Sequence, residues 1–558
     1  MNDSNKDRDE PCPPLDLDSC HKIFTPITLP SGSVINNRLV KVALYEHLSD
    51  LFGGPPNAVH YDLYSQWSRG QWGMIITGNV QICGDHITLG RDVVIPTSLT
   101  AESLQPFKLL AKAIHGDADH PSSTASSEGN VDSCLTIMQL SHPGRQSPNI
   151  IGGRWPFVPP IAPSAVPVGQ AHRKSDTIFS RLLHSFAFQI PREIPERDIP
   201  ALVDAFVRVR RWRQRAVLME WNCRQHMVVN LIAQFISPKS NHRADAYSAS
   251  TNSLHFLHDI VSSIRACEII PANFVLGVKL NAADYVDSSQ DRNKTDELQE
   301  QERLALQHVR EIASWRMVDF IEISGGDYES PDFMSPAQSA QSQRQALFSR
   351  FSQKAVQTLA ENSLNIDSSP AAGPRGTPLI LLTGGLRSLP LFTSVLANKH
   401  ADLLGLRMSV LCPELPRQLR ASIRARENGA EDTSFMESPP DPDVSGLGSP
   451  LPLSEPLLSW RRLERVILSV FLCIWSIVPW SSRDSSVLAR NMAWHTVMLR
   501  NVAVGTEVDY TVGGLGAVLR FWFWVTPGSD GGLLDGVWES WIAMGLVGVV
   551  IGLVVGSW

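Results

Sequence analysis

LTIMQLSH, residues Leu135–His142, is apolar through its body, ends on Ser141 and His142, and runs directly into Pro143-Gly144-Arg145. A run so short and so apolar reads as a β-strand buried on both faces, because a buried helix would need about ten residues or more. Seven further segments repeat the pattern outward from it. LVKVALYEH (Leu39–His47) and GMIITGNVQI (Gly73–Ile82) precede it. A degraded segment near Leu231, FVLGVKLNA (Phe274–Ala282), VDFIEISGGD (Val318–Asp327), PLILLTGGL (Pro378–Leu386) and ADLLGLRM (Ala401–Met408) follow. Helix-length segments separate most of them, so the economical fold is α/β, a closed parallel (β/α)8 TIM barrel. Such a barrel carries its chemistry at the C-terminal ends of the strands. There this chain has MQLSHPGRQ, GVKLNAADY, IEISGGDYE and LTGGLRS.

Composition bounds the rest. A chain of 558 residues, 43% hydrophobic, exceeds what one barrel needs, since barrels run to roughly 250 to 400 residues. A net charge of -7 and a pI near 6.2 give no electrostatic footprint for nucleic acid. Cys12, Cys20, Cys83, Cys134, Cys223, Cys267, Cys412 and Cys473 include no CxxC pair, which argues against both a disulfide framework and a zinc site. The polar, acidic start lacks a secretion signal, so the expected location is cytoplasmic and the NxS/T matches at Asn2 and Asn293 read as chance.

Four divisions are expected: a disordered N-terminus over 1–20, the barrel over 21–425, a disordered Pro-, Ser- and acid-rich linker over 426–455, and a hydrophobic helical extension over 456–558. Residues 116–131 and 333–345 read as polar surface insertions, and Gly152–Gly169 as an extended Pro-rich segment. Within the extension, Trp541–Gly556 (WIAMGLVGVVIGLVVG) is uncharged and carries Gly548, Gly552 and Gly556 at four-residue spacing. It is a little shorter than the roughly 20 residues a membrane span needs. Its covering is expected to be either lipid, making the extension a membrane anchor, or a groove on the barrel.

With these motifs in order, the sequence from about His21 to Leu419 resembles the Old Yellow Enzyme family of FMN-dependent NADH:flavin oxidoreductases, most closely its fungal members. The resemblance implies noncovalent FMN, NADH or NADPH as reductant, and a small-molecule electron acceptor. A barrel binds phosphate through backbone N–H groups after its last two strands. Gly384 and Gly385 after strand seven, with Gly405 and Arg407 after strand eight, are the residue types such a cradle uses. The family usually reads GxGR where this chain has Gly405-Leu406-Arg407, one residue short. Gln139 matches the glutamine that bonds the flavin pyrimidine edge, and Lys279 the cation near N1 and C2=O. Ala43, Leu44 and Gly78 match backbone and packing contacts around the ring. Tyr45 departs from the family's small Thr, Ser or Cys, and a phenol there either bonds the flavin or crowds it. His142 ends strand three as a candidate catalytic group, with a structural role in the Pro-Gly turn as the alternative.

Strand four is where the resemblance breaks. The family motif is close to GVELHAAHGYL, whose two histidines bind the acceptor oxygen. Here the segment before LIAQFISPKS reads RVRRWRQRAVLMEWNCRQHMVVN. Joining each codon's last base to the next codon's first two, Met219-Glu220 must give Gly, Trp221-Asn222 Glu, and Asn222-Cys223 Leu. Gln225-His226 gives Ala or Thr, His226-Met227 His or Tyr, and Met227-Val228 Gly. The shifted frame is thus compatible with GVELxxAHG, although Cys223-Arg224 yields Gln, Pro or Ser but never His. Residues of about 209 to 230 therefore read as translated out of frame, and the basic run Arg208–Arg215 as carrying no function. The expected activity is hydride transfer from NAD(P)H through FMN to an electron-poor alkene, quinone or similar acceptor. The alternatives are an FMN-binding protein impaired at strand four and a membrane-tethered scaffold.

Overall fold

A computed structural model describes residues 17–115, 134–169, 184–208, 225–268, 270–281, 295–324, 350–361, 375–407, 412–428, parts of 442–469, and 483–522. Eight strands form the barrel: β1 (Leu39–Lys41), β2 (Met74–Gln81), β3 (Leu135–His142), β4 (Gln225–Asn230), β5 (Val275–Asn281), β6 (Phe320–Ser324), β7 (Leu379–Thr383) and β8 (Leu403–Leu406). Each pairs in parallel with the next, and β8 pairs with β1, so the sheet closes on itself. Closure removes the exposed strand edges.

Strand alternation sorts the side chains. Val40, Val42, Met74, Ile76, Ile137, Val275, Phe320, Leu381 and Leu403 fill the barrel interior. The intervening residues, such as Leu39, Ile75, Met138, Leu276, Ile321 and Leu404, pack outward against the helices. Large and small residues fit each other across the interior. A Cβ at Gly277 would lie 2.2 Å from the Phe320 ring, and one at Gly405 2.3 Å from Thr383 Oγ1 and 2.7 Å from Val42 Cγ1. Glycine at both points is required by space. An antiparallel pair, Ile27–Thr28 with Val34–Ile35, brings Leu29 and Ile35 onto the same interior cluster.

Helices α1 (Ala58–Arg69), α2 (Ala101–His115), α3 (Ile199–Val207), α4 (His255–Arg265), α5 (Thr295–Ser314), α6 (350–361), α7 (Leu389–Ala397) and α8 (Leu415–Glu427) accompany the strands. Asn57 starts α1 with a capping box: its side chain accepts from the His60 N–H, and His60 Nδ1 accepts from the Asn57 N–H. Beyond α8, α9 (Arg483–Ala503) and α10 (Gly514–Trp522) pack on each other, and α9 packs on α1. Trp494 and Met498 of α9 are fully buried, and Trp494 Nε1 donates to the Val512 carbonyl at 3.0 Å.

Several sequence expectations change here. The apolar run Leu39–His47 is a strand only as far as Lys41, and its remainder is a loop. That loop is apolar because it lies under α1, α9 and α10. The degraded segment near Leu231 supplies β4 at Gln225–Asn230, followed by a short helix at Leu231–Ile236. Within the expected extension, residues 483–522 are docked on the barrel, with α9 against α1. Among the described residues no helix is long and apolar enough to cross a membrane. Trp541–Gly556, the insertions at 116–131 and 333–345, and most of Arg208–Arg215 lie outside the described residues.

Candidate functional site

The C-terminal ends of the strands gather one inward-facing set. Gln139 continues the interior face of Ile137, Lys279 that of Val275 and Gly277, and Glu322 that of Phe320. Lys279 and Glu322 are register partners on β5 and β6, and Lys279 Nζ lies 2.8 Å from Glu322 Oε1. Glu322 is fully buried. With no hydrogen-bond donor in bonding geometry among the described residues, its carboxylate relies on Lys279 for charge compensation.

A register shift in β2 between Ile76 and Asn79 brings Asn79 opposite Gln139. Gln139 Nε2 donates to Asn79 Oδ1 at 2.6 Å, and the Gln139 N–H donates to Thr77 Oγ1 at 3.1 Å. Gln139 Oε1 is buried and has no donor among the described residues. The amide is therefore fixed with its acceptor oxygen open, which suits the N–H of a planar heterocycle's pyrimidine edge.

At the ends of β7 and β8, Gly384 and Gly385 have φ of 113° and 73°. Side chains rarely adopt either, while a Cβ at Gly384 would meet nothing within 4 Å, so conformation alone demands glycine there. Arg387 follows this turn, and Arg407 stands at the end of β8 with its Nη2 3.5 Å from His495 Nδ1 of α9. Thr383 Oγ1 is buried without a partner among the described residues. A glycine turn, an unpaired hydroxyl and two guanidinium groups have the chemistry of a phosphate site. The donor set therefore fits a flavin mononucleotide: Gln139 and Lys279 for the ring edge, Gly384, Gly385, Arg387 and Arg407 for the phosphate.

Not every expected residue joins this set. Gly78 lies against Glu46 and Leu44, and its N–H is committed to Tyr64 Oη at 2.9 Å. Ala43 packs on the interior cluster and Leu44 on the outer one, so the loop after β1 crosses from one layer to the other. The half-buried Tyr45 stacks on His47, with ring centroids 5.5 Å apart. His142 alternates with Gln139 and falls, like Met138 and Leu140, on the outward side of β3. It is fully buried, stacks on His86 at 4.6 Å, and accepts from the Gly144 N–H at 3.1 Å. Burial, then the neighbouring His86, holds its imidazole pKa well below the ordinary value, so it stays neutral. The structure does not bring it to the face of Gln139 and Lys279.

The sequence reading passed over a second buried network. Lys41, fully buried on the outward face of β1, lies 3.4 Å from Glu46 Oε1, donates to the Ile76 carbonyl at 2.9 Å, and sits 3.9 Å over the Trp67 ring. Burial pushes its amine down to about 8, against the opposing pull of Glu46. Tyr64 donates to the same Glu46 oxygen at 2.7 Å. Through the Gly78–Tyr64 bond this network sets the backbone of β2 beside the mouth. A lysine inside LVKV, a charge in an apolar strand, was the available signal.

Comparison with known proteins gives the family of the chain. The family profile described as NADH:flavin oxidoreductase / NADH oxidase matches residues 22–358. The NADH-dependent flavin oxidoreductase iliE of Neonectria sp. (strain DH2) is 32% identical over 414 residues, covering 73% of this chain and 48% of that protein. The chain thus spans about half the length of that relative. The NADH-dependent flavin oxidoreductase iccE of Talaromyces variabilis is 29% identical over 413 residues, covering 72% of this chain and 87% of its own. Among solved structures, the old yellow enzyme homologue from Zymomonas mobilis aligns with a TM-score of 0.49 at 17% identity, covering 72% of this chain and 93% of that one.

Proposed function

The chain belongs to the NADH:flavin oxidoreductase / NADH oxidase family, and from that premise we propose that it is an FMN-dependent oxidoreductase that takes reducing equivalents from NADH or NADPH and delivers hydride to an electron-poor alkene, quinone or similar small-molecule acceptor. The carrying observation is the convergence, at one end of a closed barrel, of an amide with an open acceptor, a buried Lys279–Glu322 pair, and a left-handed Gly384-Gly385 turn beside Arg387 and Arg407. FMN, when bound, supplies reversible two-electron exchange, and the protein supplies binding, orientation and charge.

In this reading Gln139 fixes the ring through its pyrimidine edge, and Lys279 presents positive charge where negative charge accumulates on reduction. Arg387 and Arg407 hold the phosphate with the Gly384 and Gly385 N–H groups. Tyr45, Ala43 and Leu44 lie on the loop that borders the ring, where the Tyr45 phenol stands in place of the family's small side chain. His142 supports the turn after β3 from behind. The names of the fungal relatives favour NADH as the reductant.

One observation favours a second reading, an FMN-binding protein with impaired turnover. The stretch before LIAQFISPKS, Arg208 to Asn230, lacks the family's paired histidines, and an acceptor without a positioned donor loses electrophilic activation. Membrane contact through Trp541–Gly556 is a separate reading, tested by comparing carbonate-washed membranes for the full chain and for a chain lacking 537–558. Purification of the full chain tests the flavin reading itself. It should be yellow, with FMN released on denaturation and bleaching under anaerobic NADH. A colourless folded protein that gains no flavin absorbance on adding FMN would overturn it.

A further inference from the structure

We propose that α9 and α10, which lie outside the family match, are a structural part of the flavin site: they hold the loop after β1 and the arginine after β8, so that cofactor binding and docking of this extension stabilise each other. The proposal rests on placing the FMN phosphate at β7 and β8.

Three contacts carry it. The Thr496 hydroxyl donates to the Tyr45 carbonyl at 3.4 Å. Arg500 donates to the His47 carbonyl at 3.3 Å and to the Arg520 and Phe521 carbonyls at 2.9 and 3.4 Å, tying the β1 loop, α9 and α10 at one buried point. His495 lies against Arg407, its Nδ1 3.5 Å from Nη2. The two barrel sites touched are the ones assigned to the ring and the phosphate.

The loop needs such a hold. His47 has φ of 49°, a left-handed conformation that a bulky side chain keeps only where its surroundings impose it. Its ring is clamped between Tyr45, stacked at 5.5 Å, and the edge of Phe521 at 5.3 Å, while its Nδ1 bonds the Gly90 carbonyl at 2.8 Å. Without α10 one jaw of that clamp is missing.

The arginine side is equally specific. His495 Nδ1 is 2.9 Å from the Asn491 carbonyl, so that nitrogen carries the proton and donates within the helix, and Arg407 meets the ring by packing rather than through a hydrogen bond. Burial first, then Arg407 and Arg387, pushes the imidazole down to about 3, leaving a neutral wall beside two guanidinium groups. Asn491 Oδ1 is buried nearby on α9 with no donor among the described residues. A phosphate between Arg387 and Arg407 would draw both toward one position against that wall. By linkage, whatever docking contributes to FMN affinity, FMN returns to docking.

Hydrogen exchange of the full chain, stripped of flavin and then resupplied with FMN, reads this directly. FMN should slow amide exchange both at 384–407 and at 490–503. Protection of 384–407 with 490–503 unchanged makes the extension a passive neighbour and overturns the proposal. Faster exchange at 490–503 on adding FMN also overturns it, because the extension would then compete for the site. Protection at neither segment removes the phosphate assignment itself. A variant cycle gives the second measurement. Arg407→Ala should weaken FMN by roughly ten-fold to a hundred-fold, one charge-assisted bond. His495→Ala should weaken FMN several-fold in the parent but little in the Arg407→Ala background, with riboflavin affinity unchanged throughout. Additive losses would sever His495 from Arg407 and overturn its role, while an unchanged FMN affinity in Arg407→Ala would defeat the phosphate site instead.

Discussion

Lys279 and Glu322 share one ion pair but not one environment. Glu322 is fully buried, whereas the Lys279 side chain keeps 19% exposure. Removing the lysine strands a carboxylate inside the barrel, which costs about 3 to 5 kcal/mol. Removing the carboxylate frees an ammonium that can turn toward the mouth, which costs less. Lys279→Met should therefore destabilise the flavin-free protein clearly more than Glu322→Gln, and the double variant should recover part of the loss. Urea unfolding of the three proteins decides it, and equal or reversed single-variant losses would remove Glu322 as the lysine's buried partner. This pair also shows what a sequence yields at the scale of one residue. Lys279 in GVKLNAADY was a candidate by family resemblance, and Glu322 sat in plain view in IEIS, but their pairing depends on strand register, which emerges only when β5 and β6 lie side by side. His142 shows the opposite case. Its position at a strand end left a catalytic and a structural role open, and the period-two alternation that places it opposite to Gln139 favours the structural one.

At the scale of elements, seven of the eight strands were legible as short apolar runs bounded by polar ends, since parallel strands buried on both faces leave no other pattern. Their limits were less so: the run through Leu44 stays apolar after the strand ends at Lys41 because other elements cover the loop. β4 was nearly invisible. A strand still forms at Gln225–Asn230, in register with Met138–His142 on one side and Val275–Val278 on the other, because its neighbours' unpaired backbone groups demand a partner even where the sequence is poor. What the neighbours cannot supply is side-chain chemistry. Replacing residues 209–230 by the frame-shifted reading should thus raise enone reduction about 100-fold to 10,000-fold, the worth of a positioned proton donor, while flavin content rises little. Stopped-flow oxidation of the NADH-reduced protein by cyclohexenone, before and after the replacement, is the measurement. Equal rates would show that strand four does not activate the acceptor.

The whole molecule carries its buried histidines as a pH liability. Burial pushes His60, His115 and His308 down to about 4, and burial together with nearby arginines pushes His495 down to about 3. These groups are spread over α1, α2, α5 and α9, so they report on the barrel's shell and on the extension together. The sign follows from linkage. With folded values below the unfolded 6.5, the unfolded chain binds more protons in between, so stability is fully present above 6.5 and is lost as pH falls toward the folded values. Between pH 7.5 and 5.5 each histidine contributes a loss of at most about 1.4 kcal/mol, or roughly 5 kcal/mol for four, a large part of a typical folding free energy. Asp92 and Asp402, whose carboxyl groups burial pushes up, act in the opposite sense, adding stability as pH falls below their folded values. The melting temperature should therefore drop steeply from pH 7.5 to 5.5 and level off or turn only in more acid solution. His308 is buried and bonded through Nε2 to Ser253 Oγ at 2.8 Å, a bond that glutamine can replace without taking up a proton. His308→Gln should flatten the slope, removing at most about 1.4 kcal/mol of the loss between pH 7.5 and 5.5. A melting temperature that is flat over those two pH units, or a slope that His308→Gln leaves untouched, would show that these imidazoles are not kept neutral by the fold.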